Sequence, residues 1–138
     1  MPAIDAFLDS CVLVYAMSDA PGERQKRDKT YRLLESVNFA TSYQVLMETW
    51  VASRKMARPP PEAKVFGFLE TILEFPCVEC TPDVFRKAFE LAGRYRIHPY
   101  DAAILAAALE LGTPIVYSED MNHGQDYGGV RVLNPFRE

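Results

Sequence analysis

The sequence lacks an excess of positive charge. Its 138 residues carry 15 Lys and Arg against 19 Asp and Glu, which gives a net charge of −4. A protein that holds nucleic acid by bulk charge alone would be strongly basic, so that class of protein is excluded. A small basic strip beside an acidic site remains compatible with this balance.

Long hydrophobic runs and paired cysteines are also scarce. The longest apolar run, residues 102–109, lies between Asp101 and Glu110 and is far too short to cross a bilayer. The N-terminal residues show no basic region ahead of an apolar stretch, which predicts no targeting signal. Three cysteines, an odd number in a chain able to bury a core, argue against a disulfide framework. We therefore expect a cytoplasmic protein with reduced thiols and no membrane segment.

Several motifs of other enzyme classes are missing. The sequence contains no Gly-x-Ser-x-Gly, no Walker A loop and no Gly-x-Gly-x-x-Gly, which removes the motif basis for a serine hydrolase, a nucleotide hydrolase or a dinucleotide enzyme. Cys77 and Cys80 have C-x-x-C spacing, but they fall on a predicted strand, where such positions face opposite sides. We interpret them as two buried cysteines rather than as a redox pair.

Short apolar strands alternate with longer helices along a chain whose length fits one domain, residues 1–138. The patterns predict strands at 6–8, 39–41, 77–81, 114–117 and 130–133, a helical turn at 12–17, and helices at 25–36, 43–55, 62–74, 81–96 and 100–111. This alternation predicts an α/β fold with a parallel sheet covered on both faces. Such sheets bind ligands beyond the carboxyl ends of their strands.

Four carboxylates stand beside predicted buried elements. Asp9 ends the first strand, Asp120 follows the fourth, Asp101 lies in the first turn of an apolar helix, and Glu48 lies within another helix. Asp5 begins the first strand, about 13 Å from Asp9 at 3.3 Å per residue, and is left out of the predicted site.

Each of these four acids alone has a simpler explanation, as a helix first-turn acid, a turn residue or a solvated side chain. Together they would raise one another's pKa values unless a cation neutralised them. Oxygen ligands suit Mg²⁺ or Mn²⁺, and such an ion can generate hydroxide and hold a scissile phosphate. An acidic metal site without another catalytic group therefore points to phosphodiester hydrolysis.

Four segments resemble the acidic motifs of PIN-domain nucleases, in the same order and with similar spacing. They are residues 7–10 (FLDS), 44–48 (QVLME), 100–108 (YDAAILAAA) and 118–121 (SEDM). The chain's ending, residues 120–125 (DMNHGQ) and 130–136 (VRVLNPF), is similar to that of VapC-type toxins of prokaryotic toxin–antitoxin pairs.

The resemblance implies a three-layer α/β/α sandwich around a mostly parallel sheet, and a Mg²⁺- or Mn²⁺-dependent endoribonuclease. It implies an RNA substrate, a cognate antitoxin and a homodimer as partners. Carried over to this sequence, the catalytic and metal-binding quartet is Asp9, Glu48, Asp101 and Asp120, supported by Ser10 and Ser118. Asp120 is preferred over the neighbouring Glu119 as the fourth member.

Two departures from the family pattern leave alternatives open. Cys11 stands where the family commonly has Asn, and His98-Pro99 replaces the usual Ser and Phe ahead of the aromatic-Asp pair. The alternatives are a catalytically silent, partner-binding module and a structure-specific DNA nuclease. Basic residues of the 25–36 helix are interpreted as a solvated face, whereas Lys55 and Arg58 could reach an RNA backbone near Glu48.

Overall fold

The computed structural model of the protein describes residues 3–137, so the predicted domain ends at residues 1 and 138 lie outside it. Helices and strands alternate as predicted. In chain order they are β1 (Ala6–Leu8), α1 (Ser10–Leu13), α2 (Arg24–Ser36), β2 (Phe39–Ser42), α3 (Tyr43–Arg54), α4 (Glu62–Ile72), β3 (Cys77–Val78), α5 (Pro82–Tyr95), α6 (Pro99–Leu111), β4 (Ile115–Tyr117) and β5 (Arg131–Leu133).

The five strands form one sheet in the order β3-β2-β1-β4-β5, and every neighbouring pair is parallel. After β1, strands β2 and β3 are added in turn on one side of it, and β4 and β5 are then added on its other side. Because such crossovers are right-handed, α1–α4 cover one face of the sheet and α5–α6 the other. The prediction of a three-layer α/β/α fold with a mostly parallel sheet is confirmed. The strand order reverses between β1 and β4, which is where such sheets bind ligands.

Strands β1 and β2 are buried at every residue, as expected for inner strands of a parallel sheet that is covered on both faces. Phe7 and Leu8 of β1, Phe39 of β2 and Val116 of β4 have no exposed side-chain surface. They hold β1 and β4 rigidly side by side, with Leu8 paired to Tyr117 in register. The residues that follow these two strands are therefore fixed relative to each other.

Helix α6 is buried on several sides, because most of its residues are small or aliphatic. Ala102 and residues 104–108 have at most 3% of their surface exposed. The helix begins at the cap His98, whose Nδ1 accepts a hydrogen bond from the Tyr100 amide, and it ends at Gly112 with φ of 69°. Within residues 3–137, no helix is both long and apolar enough to span a membrane.

Two local predictions are corrected by the structure. Strand β3 ends at Val78 rather than at residue 81, because the Thr81 amide turns back to the Glu79 carbonyl (3.0 Å) and Thr81 then caps α5. Cys77 is consequently half-buried and Cys80 is exposed, so the interpretation of both as buried cysteines is wrong. The predicted turn at 12–17 begins earlier, at Ser10, and continues as a 3₁₀ turn over Val14–Met17.

Candidate metal centre

Asp9 lies at the seam between β1 and β4, directly after the buried end of β1. Its backbone amide donates to the carbonyl of Tyr117 (3.1 Å), which continues the sheet pairing by one residue. Its side chain is 2% exposed. Oδ1 accepts from the Ser10 amide (2.7 Å) and Oδ2 accepts from the buried Ser118 hydroxyl (2.8 Å). Both carboxylate oxygens therefore have fixed directions.

Asp120 and Cys11 lie next to Asp9. One ligand atom from each of the three residues lies within 4.8 Å of the others. The Asp120 amide donates to the Ser118 hydroxyl (3.2 Å), so Ser118 ties both acids to the end of β4. Cys11 Sγ accepts from the Glu119 amide (3.2 Å) and lies 3.7 Å from Asp9 Oδ2. Burial raises the pKa of the Cys11 thiol, which keeps it protonated at neutral pH.

Glu48 and Asp101 approach the same edge from two helices. The Gln44 side chain links these helices, since its Nε2 donates both to Glu48 Oε2 (3.0 Å) and to the Tyr100 carbonyl (3.1 Å). Asp101 follows Tyr100 in the first turn of α6. Gln44 thus holds the N-terminal part of α3 against the first turn of α6, and with it both acids.

Burial and mutual repulsion both act on the pKa values of Asp9, Glu48 and Asp101. Burial raises the pKa of Asp9 to about 6, and repulsion from Glu48 and Asp120 adds to the rise. Burial also raises the pKa of Glu48, with a further contribution from Asp101 and Asp120, and that of Asp101, with a further contribution from Asp120. The structure therefore brings Asp9 and Asp120 together with Cys11, whereas Glu48 and Asp101 lie outside that 4.8 Å group and act on it only through charge.

The donor set of this cluster fits a divalent cation. Among the residues described, no Lys or Arg forms an ion pair with any of the four acids. Repulsion between neighbouring carboxylates disfavours their ionised form, and a bound cation removes that cost. Hard oxygen donors from a few carboxylates, with room for water, are the ligands that Mg²⁺ and Mn²⁺ prefer.

Asp5 and Glu119 lie apart from this cluster for identifiable reasons. The Asp5 carboxylate accepts from the Asn38 amide (3.3 Å) at the start of β1, the opposite end of the strand from Asp9. Glu119 accepts from the Tyr15 hydroxyl (2.6 Å) and pairs with Lys26 Nζ (2.6 Å). Burial and the bond to Glu119 raise the pKa of Tyr15 to about 12.

The contacts of Glu119 are absent from the sequence prediction. Tyr15 and Lys26 lie 104 and 93 residues before it, and nothing in the local pattern connects positions so far apart. The structure supplies the physical reason for preferring Asp120, because both oxygens of Glu119 are already engaged.

Comparisons with known proteins agree with this geometry. The sequence pattern of the PIN domain matches residues 6–125. No curated protein sequence matches the chain. Among solved structures, a toxin–antitoxin complex from Klebsiella pneumoniae contains a chain with a TM-score of 0.71 and 19% identity, and the alignment covers 97% of this chain and 100% of that one.

Two further structures share the fold at similar identity. VapC20 of Mycobacterium tuberculosis, described as a sarcin–ricin loop cleaving toxin, has a TM-score of 0.68 and 20% identity over 86% of this chain and 92% of that chain. A chain of VapBC2 from Rickettsia felis, bound to a promoter DNA fragment, has a TM-score of 0.66 and 15% identity over 94% and 97%. The match to the PIN-domain pattern covers residues 6–125, most of the sequence, and shows that the chain belongs to the PIN-domain family.

Proposed function

We propose that the protein is a Mg²⁺- or Mn²⁺-dependent endoribonuclease, and that it acts in the cytoplasm as the toxin of a toxin–antitoxin pair. The observation that carries the proposal is that Asp9 and Asp120 lie together at one sheet edge. Glu48 and Asp101 are near enough to repel Asp120, and among residues 3–137 no Lys or Arg pairs with any of these four acids. Neighbouring folds include an RNA-loop-cleaving toxin and chains of toxin–antitoxin complexes, which supports the choice of RNA and of an antitoxin partner.

The chain's own residues would prepare the site for this chemistry. Asp9 and Asp101 are proposed as the most direct ligands, with Glu48 and Asp120 completing the site. A divalent ion held there would lower the pKa of a water molecule and offset the charge of a phosphodiester. Ser10 and Ser118 hold the two oxygens of Asp9, and Gln44 orients Glu48, so these carboxylates need little reorganisation.

Two exposed apolar surfaces support the proposal that the protein binds protein partners. A groove of about 300 Å³ between α3 and α4 is lined by Tyr43, Met47, Trp50 and Phe66, among other residues. On α5, Phe85 and Phe89 lie one turn apart and are 57% and 78% exposed. Exposed aromatic groups of this size are typical of surfaces that bind proteins, as expected for a homodimer that also binds an antitoxin.

The proposal is tested by cleavage of RNA and of DNA of the same sequence in parallel. We expect RNA cleavage in Mg²⁺ or Mn²⁺, loss of cleavage to background in EDTA, and recovery when the ion is added back. Cleavage of DNA alone would favour the structure-specific DNA nuclease. No cleavage of either, together with no thermal stabilisation by millimolar Mn²⁺, would favour the catalytically silent module.

The adjacent acids Glu119 and Asp120 provide a matched pair of variants. We expect Asp120→Asn to weaken Mn²⁺ binding roughly tenfold or more, because it removes an oxygen beside Asp9. At saturating ion this lowers the Mn²⁺-dependent stabilisation by about 1.4 kcal/mol. Glu119→Gln should keep its Mn²⁺ affinity within about threefold, since that carboxylate already pairs with Lys26. Thermal unfolding with and without Mn²⁺ measures the Mn²⁺-dependent stabilisation of each variant. A larger loss of this stabilisation in Glu119→Gln than in Asp120→Asn would contradict the choice of Asp120 as the ligand.

A further inference from the structure

A basic groove of about 710 Å³ runs along α2. Its walls include Lys26, Lys29 and Arg32 from the helix and Phe136 from the end of the described chain. The three cations recur every third residue, so they follow one side of the helix over about 9 Å at 1.5 Å per residue. The sequence alone predicts a solvated helix face at these residues, and the structure adds the concave shape of the groove.

The groove begins beside the acidic cluster. Lys26 Nζ lies 2.6 Å from Glu119 Oε2, and the backbone amide of Glu119 donates to Sγ of Cys11, which lies in the cluster (3.2 Å). The same ammonium group lies over the rings of Tyr15 and Phe136, at 5.0 and 5.5 Å from their centroids. Lys26 therefore lies at the end of the groove that is nearer the cluster.

Two of the groove's cations are available for an anion. Within the described part of the chain, Lys29 and Arg32 form no ion pair with a carboxylate. Asp28 also lines the groove, but its carboxylate lies 3.7 Å from Arg27 Nε. Lys29 is half-buried and Arg32 is exposed, so both remain within reach of a bound molecule.

We infer that this groove binds the backbone of a single-stranded RNA segment next to the scissile bond, with Lys29 and Arg32 contacting phosphates. The inference rests on the proposed nuclease function. A protein of net charge −4 whose site is a cluster of acids repels its substrate, so cations flanking the site are needed to hold it. The length of the cationic row spans about two nucleotides, and the Phe136 ring offers a surface for a base.

The test removes two charges from the groove and compares the effect with two charges removed elsewhere. Lys29→Gln/Arg32→Gln is compared with Lys64→Gln/Arg86→Gln, whose residues are exposed on α4 and α5. Binding of a short single-stranded RNA is measured by fluorescence anisotropy in EDTA over a range of salt concentrations. We expect the groove variant to bind about tenfold more weakly at low salt. Its plot of log affinity against log salt should be shallower by about 1.4, at about 0.7 per lost phosphate contact.

Cleavage kinetics separate this inference from the proposed function. With Mn²⁺ present, the groove variant should raise KM about tenfold and keep kcat within about threefold, while the control variant changes neither. If the wild type cleaves RNA but the groove variant keeps the wild-type salt slope and KM, the inference about the groove is wrong and the proposed nuclease function stands. Competition by poly-glutamate as strong as that of an RNA of equal charge would also overturn it, in favour of an acidic peptide site. If the wild type itself does not cleave RNA, the result counts against the proposed function instead.

Discussion

Asp9→Asn is expected to lower the rate of RNA cleavage by more than 100-fold. Asp9 is the most buried of the four acids, and both of its oxygens are oriented by Ser10 and Ser118. Replacing it leaves one oxygen where two stood and removes a full negative charge. Loss of a residue that merely supports a metal ligand costs 10–100-fold, so loss of a direct ligand should cost more. Initial rates at saturating Mn²⁺ measure the effect.

Asp5→Asn is the matched control for this experiment. It makes the same chemical change on the same strand, but its carboxylate accepts from the Asn38 amide at the other end of β1. We expect its cleavage rate to stay within about twofold of the wild type. Equal rates in Asp9→Asn and the wild type would remove Asp9 from the proposed metal site. A comparable loss in Asp5→Asn would indicate that the strand, rather than the site, had been disturbed.

The parts of the site that could be predicted from sequence are those set by local pattern. An acid that closes an apolar strand must lie at the carboxyl edge of a parallel sheet, which places Asp9 and Asp120. Asp101 could be placed because it opens the most apolar helix of the chain. Neighbouring strands bring such residues together whatever the details of the loops, so the fold and the closeness of Asp9 and Asp120 could be predicted together.

The remaining features depend on distant residues or on small differences in chain geometry. The Tyr15 and Lys26 bonds to Glu119 join three separate segments, and no pattern within one segment indicates them. Cys80 is exposed because β3, an edge strand paired with β2, is only two residues long and ends before it. The groove along α2 is closed in part by Phe136, which packs edge-to-face against Tyr15 (5.1 Å between centroids) at the end of the described chain.

The pH dependence of stability provides a second test of Asp9, which is independent of catalysis. Without metal, burial raises its pKa from 3.8 to about 6, so the folded protein binds a proton that the unfolded chain releases near pH 4. Below about pH 4 the carboxyl is protonated in both states and adds no pH dependence. Between about pH 4 and 6 the folded state holds more protons, so the free energy of unfolding falls as the pH rises. Above pH 6 the ionised Asp9 carboxylate lowers the free energy of unfolding by its full amount, about 3 kcal/mol at about 1.4 kcal/mol for each pH unit by which burial raises the pKa.

Asp9→Asn is therefore expected to stabilise the metal-free protein at pH 8 while it abolishes cleavage. The gain is at most about 3 kcal/mol, reduced by whatever the amide loses in hydrogen bonds to Ser10, Cys11 and Ser118. Urea unfolding in EDTA at pH 4 and pH 8 measures it, and the difference between wild type and variant cancels the contributions of titrating groups that do not interact with Asp9. A variant whose advantage over the wild type does not grow between pH 4 and pH 8 would contradict the raised pKa. In saturating Mn²⁺ the order at pH 8 should reverse, because the ion stabilises the folded wild type and has lost a ligand in the variant.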